Sequence, residues 1–253
     1  MENQQMNRLA AAYRADLLYA VERAKQGNCA PCWQDYCMEE LAAAKDTGAY
    51  PQDGDALRAE LGLRIKRGVP MIAMVTRLVE DKGLDLVTCI MDELVDDDVQ
   101  LVLVGTGDAG YEEAFRELAR RHPTKVSANI TFNEALAHKV YAAADMFLMP
   151  SRYEPCGLSQ LIALRYGAIP IVRETGGLKD TVHPFDKYSK QGNGLTFPNF
   201  NAHELLFTTK RAMGYYEDTA LWDILVRNAM TSDYSWDRSA EAYQNLYEKV
   251  LQQ

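Results

Sequence analysis

Three charged side chains, Arg77, Lys82 and Glu154, stand where they could meet an anionic or sugar-like ligand. Glu154 lies in the polar loop Ser151 to Cys156, directly behind an apolar run, Met146 to Met149, that ends at Pro150. Such a loop emerges at the carboxyl end of a strand, where open α/β sheets bind their ligands. Arg77 and Lys82 belong to Val75-Thr76-Arg77-Leu78-Val79-Glu80-Asp81-Lys82-Gly83, the link between an apolar run and the helix after it. Arginine grips phosphate oxygens through a planar fork and lysine acts as a mobile point charge, so the pair could neutralise a diphosphate leaving group. Behind Glu154, the amides of Gly157, Leu158 and Ser159 fall in the first turn of a helix. They would be free donors suited to a phosphate. The residues alone leave a plainer reading open, in which Glu80 and Asp81 pair with the two cations in a solvated loop and Glu154 pairs with Arg152.

These side chains need a scaffold, and the sequence describes one. Leu158, Leu161 and Leu164 share a helix face that Gly167 stops. From Val69 onward, short apolar runs alternate with amphipathic helices, the pattern of a parallel sheet covered on both faces. Strands are expected at Met71 to Val75, Gln100 to Val104, Val126 to Phe132, Met146 to Met149, Ile169 to Val172 and Leu195 to Phe197. Leu84, Val87, Met91 and Leu94 mark one helix. Another runs from Asp108, with Tyr111, Phe115 and Leu118 inward, to a stop at Pro123. After Asn199 the chain reads as helical, with breaks at Gly214 and at Tyr234-Ser235-Trp236. Gly105-Thr106-Gly107 with Gly110 spells G-x-G-x-x-G, but it follows the second strand rather than the first, which argues against a nicotinamide site. It reads instead as a tight turn bringing backbone near a nucleotide. Phe132 on residues alone reads as core, and Thr175-Gly176-Gly177 as a turn before a helix.

The 253 residues, 47% of them hydrophobic, suffice for one full core. A net charge of −9 argues against a broad nucleic-acid or anionic-membrane surface. No apolar run is long enough to span a bilayer and none behind Glu2 and Arg8 reads as a signal peptide, so the cytoplasm is the expected compartment. Residues 1–26 place Met6, Leu9, Tyr13, Leu17, Ala20 and Ala24 on one helical face, and a short helix is expected from Tyr36 to Lys45. Residues 1–60 thus read as a helical lead-in, ending in a short helix at Asp55 to Leu63, and residues 61–253 as the main domain. Cys29-Ala30-Pro31-Cys32 has zinc-like spacing, yet only Cys37 lies nearby and no histidine does. Reduced thiols and no structural metal are expected. The four histidines, His122, His138, His183 and His203, show no ligand spacing.

Pro150-Ser151-Arg152-Tyr153-Glu154-Pro155-Cys156-Gly157-Leu158, followed by Thr175-Gly176-Gly177-Leu178 and Asp180-Thr181-Val182, resembles the carboxyl-terminal half of bacterial glycogen synthases and plant starch synthases. The resemblance runs from about Leu61 to Leu251. Those enzymes are retaining glucosyltransferases of the GT-B architecture, two Rossmann-like domains facing a cleft. The resemblance implies a single Rossmann-like α/β domain of GT-B type, a parallel sheet flanked by helices. It implies that Arg77 and Lys82 stabilise a departing diphosphate and that Phe132 stacks on the nucleotide base, keeping the face of the family's usual tyrosine without its hydroxyl. Glu154 would hold the donor sugar near its reacting carbon and favour an oxocarbenium-like transition state. Cys156 would pack beside the sugar, and Gly157, Leu158, Ser159, Thr175, Gly176 and Gly177 would bring amides to phosphate and sugar.

Related retaining transferases carry a second Glu eight residues after the first. Ile162 stands there, which favours the glycogen and starch synthase branch. The implied donor is ADP-glucose or UDP-glucose and the acceptor an α-1,4-glucan, with no cofactor or metal. An amino-terminal GT-B domain would be the implied partner, since its Lys-x-Gly-Gly donor loop occurs nowhere in the chain, and the chain alone is expected to bind nucleotide without synthesising glucan. Two alternatives stand beside this reading: another retaining GT-B transferase with a different acceptor, or a non-catalytic nucleotide-sugar-binding module.

Overall fold

The computed structural model describes residues 53–66, 68–234 and 236–251. The helix expected over residues 1–26, the Cys29/Cys32 turn and the helix from Tyr36 to Lys45 lie outside the described residues.

Six parallel strands form one sheet in the order β3-β2-β1-β4-β5-β6. They are β1 (Met71–Val75), β2 (Gln100–Val104), β3 (Val126–Asn129), β4 (Met146–Met149), β5 (Ile169–Arg173) and β6 (Leu195–Phe197). The helices are α1 (Asp53–Glu60), α2 (Leu84–Asp96), α3 (Ala109–Arg121), α4 (Glu134–Ala143), α5 (Ser159–Tyr166), α6 (Gly176–Thr181), α7 (Ala202–Glu217), α8 (Thr219–Met230) and α9 (Trp236–Leu251). The strands read as unbroken apolar runs because both of their faces are covered. Ile72, Met74, Leu101, Leu103, Met146 and Leu148 enter one apolar layer with residues of α2, α3, α7 and α8. The residues between them, Met71, Ala73, Val102, Val104 and Phe147, enter the opposite layer with residues of α1, α4 and α5. Truncating a wholly buried ring such as Phe147 would cost about 3 to 5 kcal/mol.

Sequence order and spatial order part company between β3 and β4. After β3 the chain returns across the sheet to place β4 against β1, with Ile72 opposite Met146 and Ala73 opposite Phe147. The loops leaving β1 and β4 therefore diverge at neighbouring strand ends, the topological switch point of a doubly wound sheet. Gly83 lets them meet: it adopts φ 70°, and a Cβ there would lie 2.1 Å from the Pro150 carbonyl oxygen.

The structure departs from the sequence expectation in several places: β5 runs on to Arg173, and the short helix expected at Asp55 to Leu63 is α1, Asp53–Glu60. β3 ends at Asn129 rather than Phe132, since only Val126 of the strand is fully buried and its apolar character fades along its length. Gly214 does not break a helix: it lies inside α7, and the break falls at Asp218, whose carboxylate caps α8 by accepting from Leu221 N at 3.2 Å. Leu158 is not on the buried face of α5 but 69% exposed, while Leu164 is buried. Gly167 does stop α5, in the left-handed conformation with φ 75°.

Candidate functional site

At the switch point the carboxyl ends of β1 and β4 enclose a cavity of about 210 Å³. Its walls come from Thr76, Arg77 and Lys82 after β1, from Ser151 and Glu154 after β4, and from Gly157, Leu158 and Ser159 at the start of α5. Six of the sequence-selected residues therefore converge although 72 positions separate Lys82 from Glu154.

The centre of the cavity is an ion pair. Lys82 Nζ lies 2.5 Å from Glu154 Oε2, with the two side chains 20% and 12% exposed. The Ser151 hydroxyl donates to the same oxygen at 3.3 Å. Burial makes such a pair costly unless its remaining valences are used. Glu154 Oε1 takes no hydrogen bond among the described residues, so one acceptor stays open to a ligand hydroxyl. Arg77 is exposed and makes no ion pair among the described residues, and it faces the same space. The plainer pairing does not occur. Arg152 turns away to Glu80 and Asp85, both at 3.4 Å, and lies 4.1 Å over the Phe200 ring.

The second feature is a row of donors. The amides of Gly157, Leu158 and Ser159 donate to no described group, and Leu158 occupies the N-cap position of α5 without a side-chain cap. Two side chains that sequence reasoning passed over make this possible. Gln160 is wholly buried, and its Nε2 donates to the Cys156 carbonyl at 3.0 Å and the Gly157 carbonyl at 2.9 Å. The loop's carbonyls are thus taken up by the protein while its amides are left over. Arg173, the last residue of β5, donates through Nε to the Ser151 carbonyl at 2.9 Å and through Nη2 to the Arg152 carbonyl. It holds the loop that carries Glu154. Burial and then the charge of Arg152 push its guanidinium below the ordinary arginine range. Gln160 and Arg173 gave no signal beyond being polar residues next to the motif. On the facing helix α4, burial pushes the Tyr141 phenol up to about 12, against a hydrogen bond with Ser159 that works the other way. Tyr141 is therefore neutral at ordinary pH.

Five expected site residues are not brought into the cavity. Phe132 is neither core nor strand end: it stands on the loop between β3 and α4 and is 93% exposed, an open aromatic face two strands away from β1. Cys156 is exposed rather than packed. Thr175, Gly176 and Gly177 are not among the residues that line the cavity. A Cβ at Gly176 would lie 2.2 Å from the Glu154 carbonyl oxygen and one at Gly177 2.0 Å from that of Cys156, and Gly177 N donates to the Glu154 carbonyl at 3.1 Å. This glycine pair seats the Glu154 loop. Gly105 and Gly107 likewise serve the protein's own backbone, with hypothetical Cβ atoms 1.8 Å from the Thr76 oxygen and 2.2 Å from that of Leu78. Among the described residues no group of three His, Cys, Asp or Glu side chains is placed to hold a metal, and no helix is long and apolar enough to cross a membrane.

A 3-2-1-4-5-6 parallel sheet with a cleft at its switch point is a Rossmann-like domain of the GT-B type. The chain belongs to the family described as glycosyl transferases group 1, whose sequence model matches residues 60–213. It is 54% identical over 196 residues to the glycogen synthase of Geobacillus thermodenitrificans, covering 78% of this chain and 40% of that protein. It is also 54% identical over 196 residues to the glycogen synthase of Clostridium acetobutylicum, covering 77% and 41%. Among solved structures it matches the catalytic domain of Starch Synthase IV from Arabidopsis thaliana bound to ADP and acarbose. That match has a TM-score of 0.71 and 35% identity, over 80% of this chain and 43% of the other. The chain spans about 40% of the length of the curated relatives it matches.

Proposed function

We propose that this chain is the nucleotide-sugar-binding half of a glycogen or starch synthase, taking ADP-glucose or UDP-glucose and passing glucose to an α-1,4-glucan with retention. The observation that carries the reading is the cleft itself: Arg77, a carboxylate oxygen of the Lys82–Glu154 pair and α5 amides that have no partner among the described residues, all lining one cavity. Arg77, Lys82 and the amides of Gly157, Leu158 and Ser159 would take the diphosphate, and Glu154 Oε1 a sugar hydroxyl. In the transfer, the bond from the sugar's C1 to the diphosphate oxygen breaks and a bond from C1 to an acceptor hydroxyl oxygen forms. The acceptor's proton ends on the departing diphosphate, so no further reactant is needed. As positive charge grows at C1, the carboxylate of Glu154 lowers its energy, while the cations stabilise the negative charge that leaves. Phe132 would reach the base only with a nucleotide extending past β2, so its role is the outermost of those assigned.

Titration with ADP and ADP-glucose tests the reading. Each charge-assisted contact is worth about 1.5 to 3 kcal/mol, so replacing both Arg77 and Lys82 with Ala should weaken ADP binding by two orders of magnitude or more. Unchanged affinity would sink the assignment. A binding module without turnover is the second reading, favoured by the single half-cleft in the described residues. Transfer needs donor and acceptor held together in a water-poor site. Radiolabelled glucose should therefore enter glycogen only when an amino-terminal GT-B domain is supplied, and incorporation by the chain alone would refute that dependence.

A further inference from the structure

A second concavity, a depression of about 850 Å³ open to solvent, shares no residue with the cleft. It lies between the connection from α6 to β6 and the turn that follows α8, and His183, Gln191, Asn193, Asn228, Asp233 and Tyr234 are among its lining residues. Because the strands are parallel, residues just ahead of β6 lie at the amino end of the sheet, opposite the end where the cleft opens.

The walls are held by side chains bonded to backbone. Asn193 is buried: its oxygen accepts from His183 N at 2.7 Å, and its amide donates to the Thr181 carbonyl at 3.1 Å and the Ser232 hydroxyl at 3.0 Å. The Asn228 amide donates to the carbonyls of Lys190 at 2.9 Å and Gly192 at 2.8 Å. That clamp keeps Lys190 at φ 59°, the one non-glycine residue in the left-handed region among the described residues. The Tyr234 hydroxyl donates to the Thr181 carbonyl at 2.5 Å, which fixes a ring that remains 37% exposed. A wall so ordered in advance loses little entropy when a ligand arrives.

The charge pattern selects the ligand. Asp180, Asp186 and Asp233 are interleaved with Lys190 and Arg238, so an anion would face three carboxylates and a cation would face two basic groups. A neutral molecule carrying both donors and acceptors, with an apolar face to lay on a tyrosine ring, satisfies the whole lining. The His183 imidazole and the Gln191 amide make no hydrogen bond among the described residues, so donors and acceptors are at hand.

We propose that this cavity is a second carbohydrate site that holds a short run of a neutral oligosaccharide, an α-glucan if the proposed function is right. From the far end of the sheet it cannot present a chain end to the cleft. It tethers a distant stretch of the same polymer and so raises the local concentration of chain ends without touching the chemistry.

The test is calorimetric titration of the full chain with maltoheptaose, with ADP and with inorganic phosphate, in three proteins. Wild type should bind maltoheptaose. The His183→Ala/Gln191→Ala double variant should bind it about tenfold more weakly or worse, since two ligand hydrogen bonds are lost, with ADP affinity and melting temperature unchanged. Arg77→Ala/Lys82→Ala should do the reverse. If the double variant melts early, the single variants His183→Ala and Gln191→Ala take its place, each expected to weaken maltoheptaose binding about threefold or more. The proposal is overturned if wild type does not bind maltoheptaose, if affinity survives the cavity variants, or if phosphate displaces the sugar. Loss of ADP binding in wild type would instead sink the proposed function and leave the sugar site standing.

Discussion

Gly105-Thr106-Gly107 and Gly157-Leu158-Ser159 both follow a central strand, both open toward a helix, and both carry small residues. In the first turn the backbone is consumed. Leu78 N donates to the Thr106 carbonyl at 2.9 Å, Asp108 N donates to the Leu78 carbonyl at 2.7 Å, and the glycines admit the link that leaves β1, at Thr76 and Leu78. In the second the Gly157 carbonyl is taken by Gln160 and the Leu158 carbonyl by Ile162 N, while the three amides donate to no described group. One glycine-rich turn is therefore a seam in the protein, and the other a socket. Glycine content cannot separate them, whereas the destination of each amide does.

Substitutions can break this contrast. Gly105→Ala should give the largest effect, because its Cβ meets fixed backbone at 1.8 Å and nothing flexible can yield. A loss of about 3 kcal/mol and a fall of roughly 10 °C in melting temperature are expected, and an unchanged melt would show the seam to be soft. Gly157→Ala should cost less stability, about 1 to 2 kcal/mol, for forcing a side chain into φ 75° and against the side-chain amide of Gln160. Its larger effect should be on ADP affinity, about tenfold weaker in titration as the amides rotate out of line; equal affinity would detach the socket from the ligand. Cys156→Ser should be the smallest. The thiol is exposed and only the carbonyl of that residue is used, so ADP affinity should stay within about twofold. A tenfold loss there would mean that the side chain, not the backbone, shapes the turn.

The same contrast marks what could be read in the sequence. All six strands were legible as apolar runs because two-sided burial leaves little choice of residue, and β1, β2, β4 and β6 begin and end where expected. Arg77, Lys82 and Glu154 were legible as a group because strand ends converge in this topology. What each glycine serves was not, since Gly176 answers to a carbonyl 22 residues away and Gly83 to one much farther along the chain. Gln160 and Arg173 act on backbone carbonyls, which every residue possesses, so no pattern of side chains announced them. Phe132 read as core from its type and is bare in the fold, since apolar character alone does not tell a platform from a packing residue.

The placement of β4 between β1 and β5 has a kinetic consequence. β1, β2 and β3 are consecutive in sequence and can pair through crossovers of ordinary length, but β1 keeps an open edge until a strand some seventy positions later inserts beside it. Contacts of such sequence separation form slowly, because loop closure must come before the gain from pairing. The Lys82–Glu154 pair spans that same interval, so it forms only once β4 has docked beside β1. If the proposed nucleotide binding holds, its signal, followed during refolding, should return after backbone structure has recovered and mark the closing of the sheet's central seam.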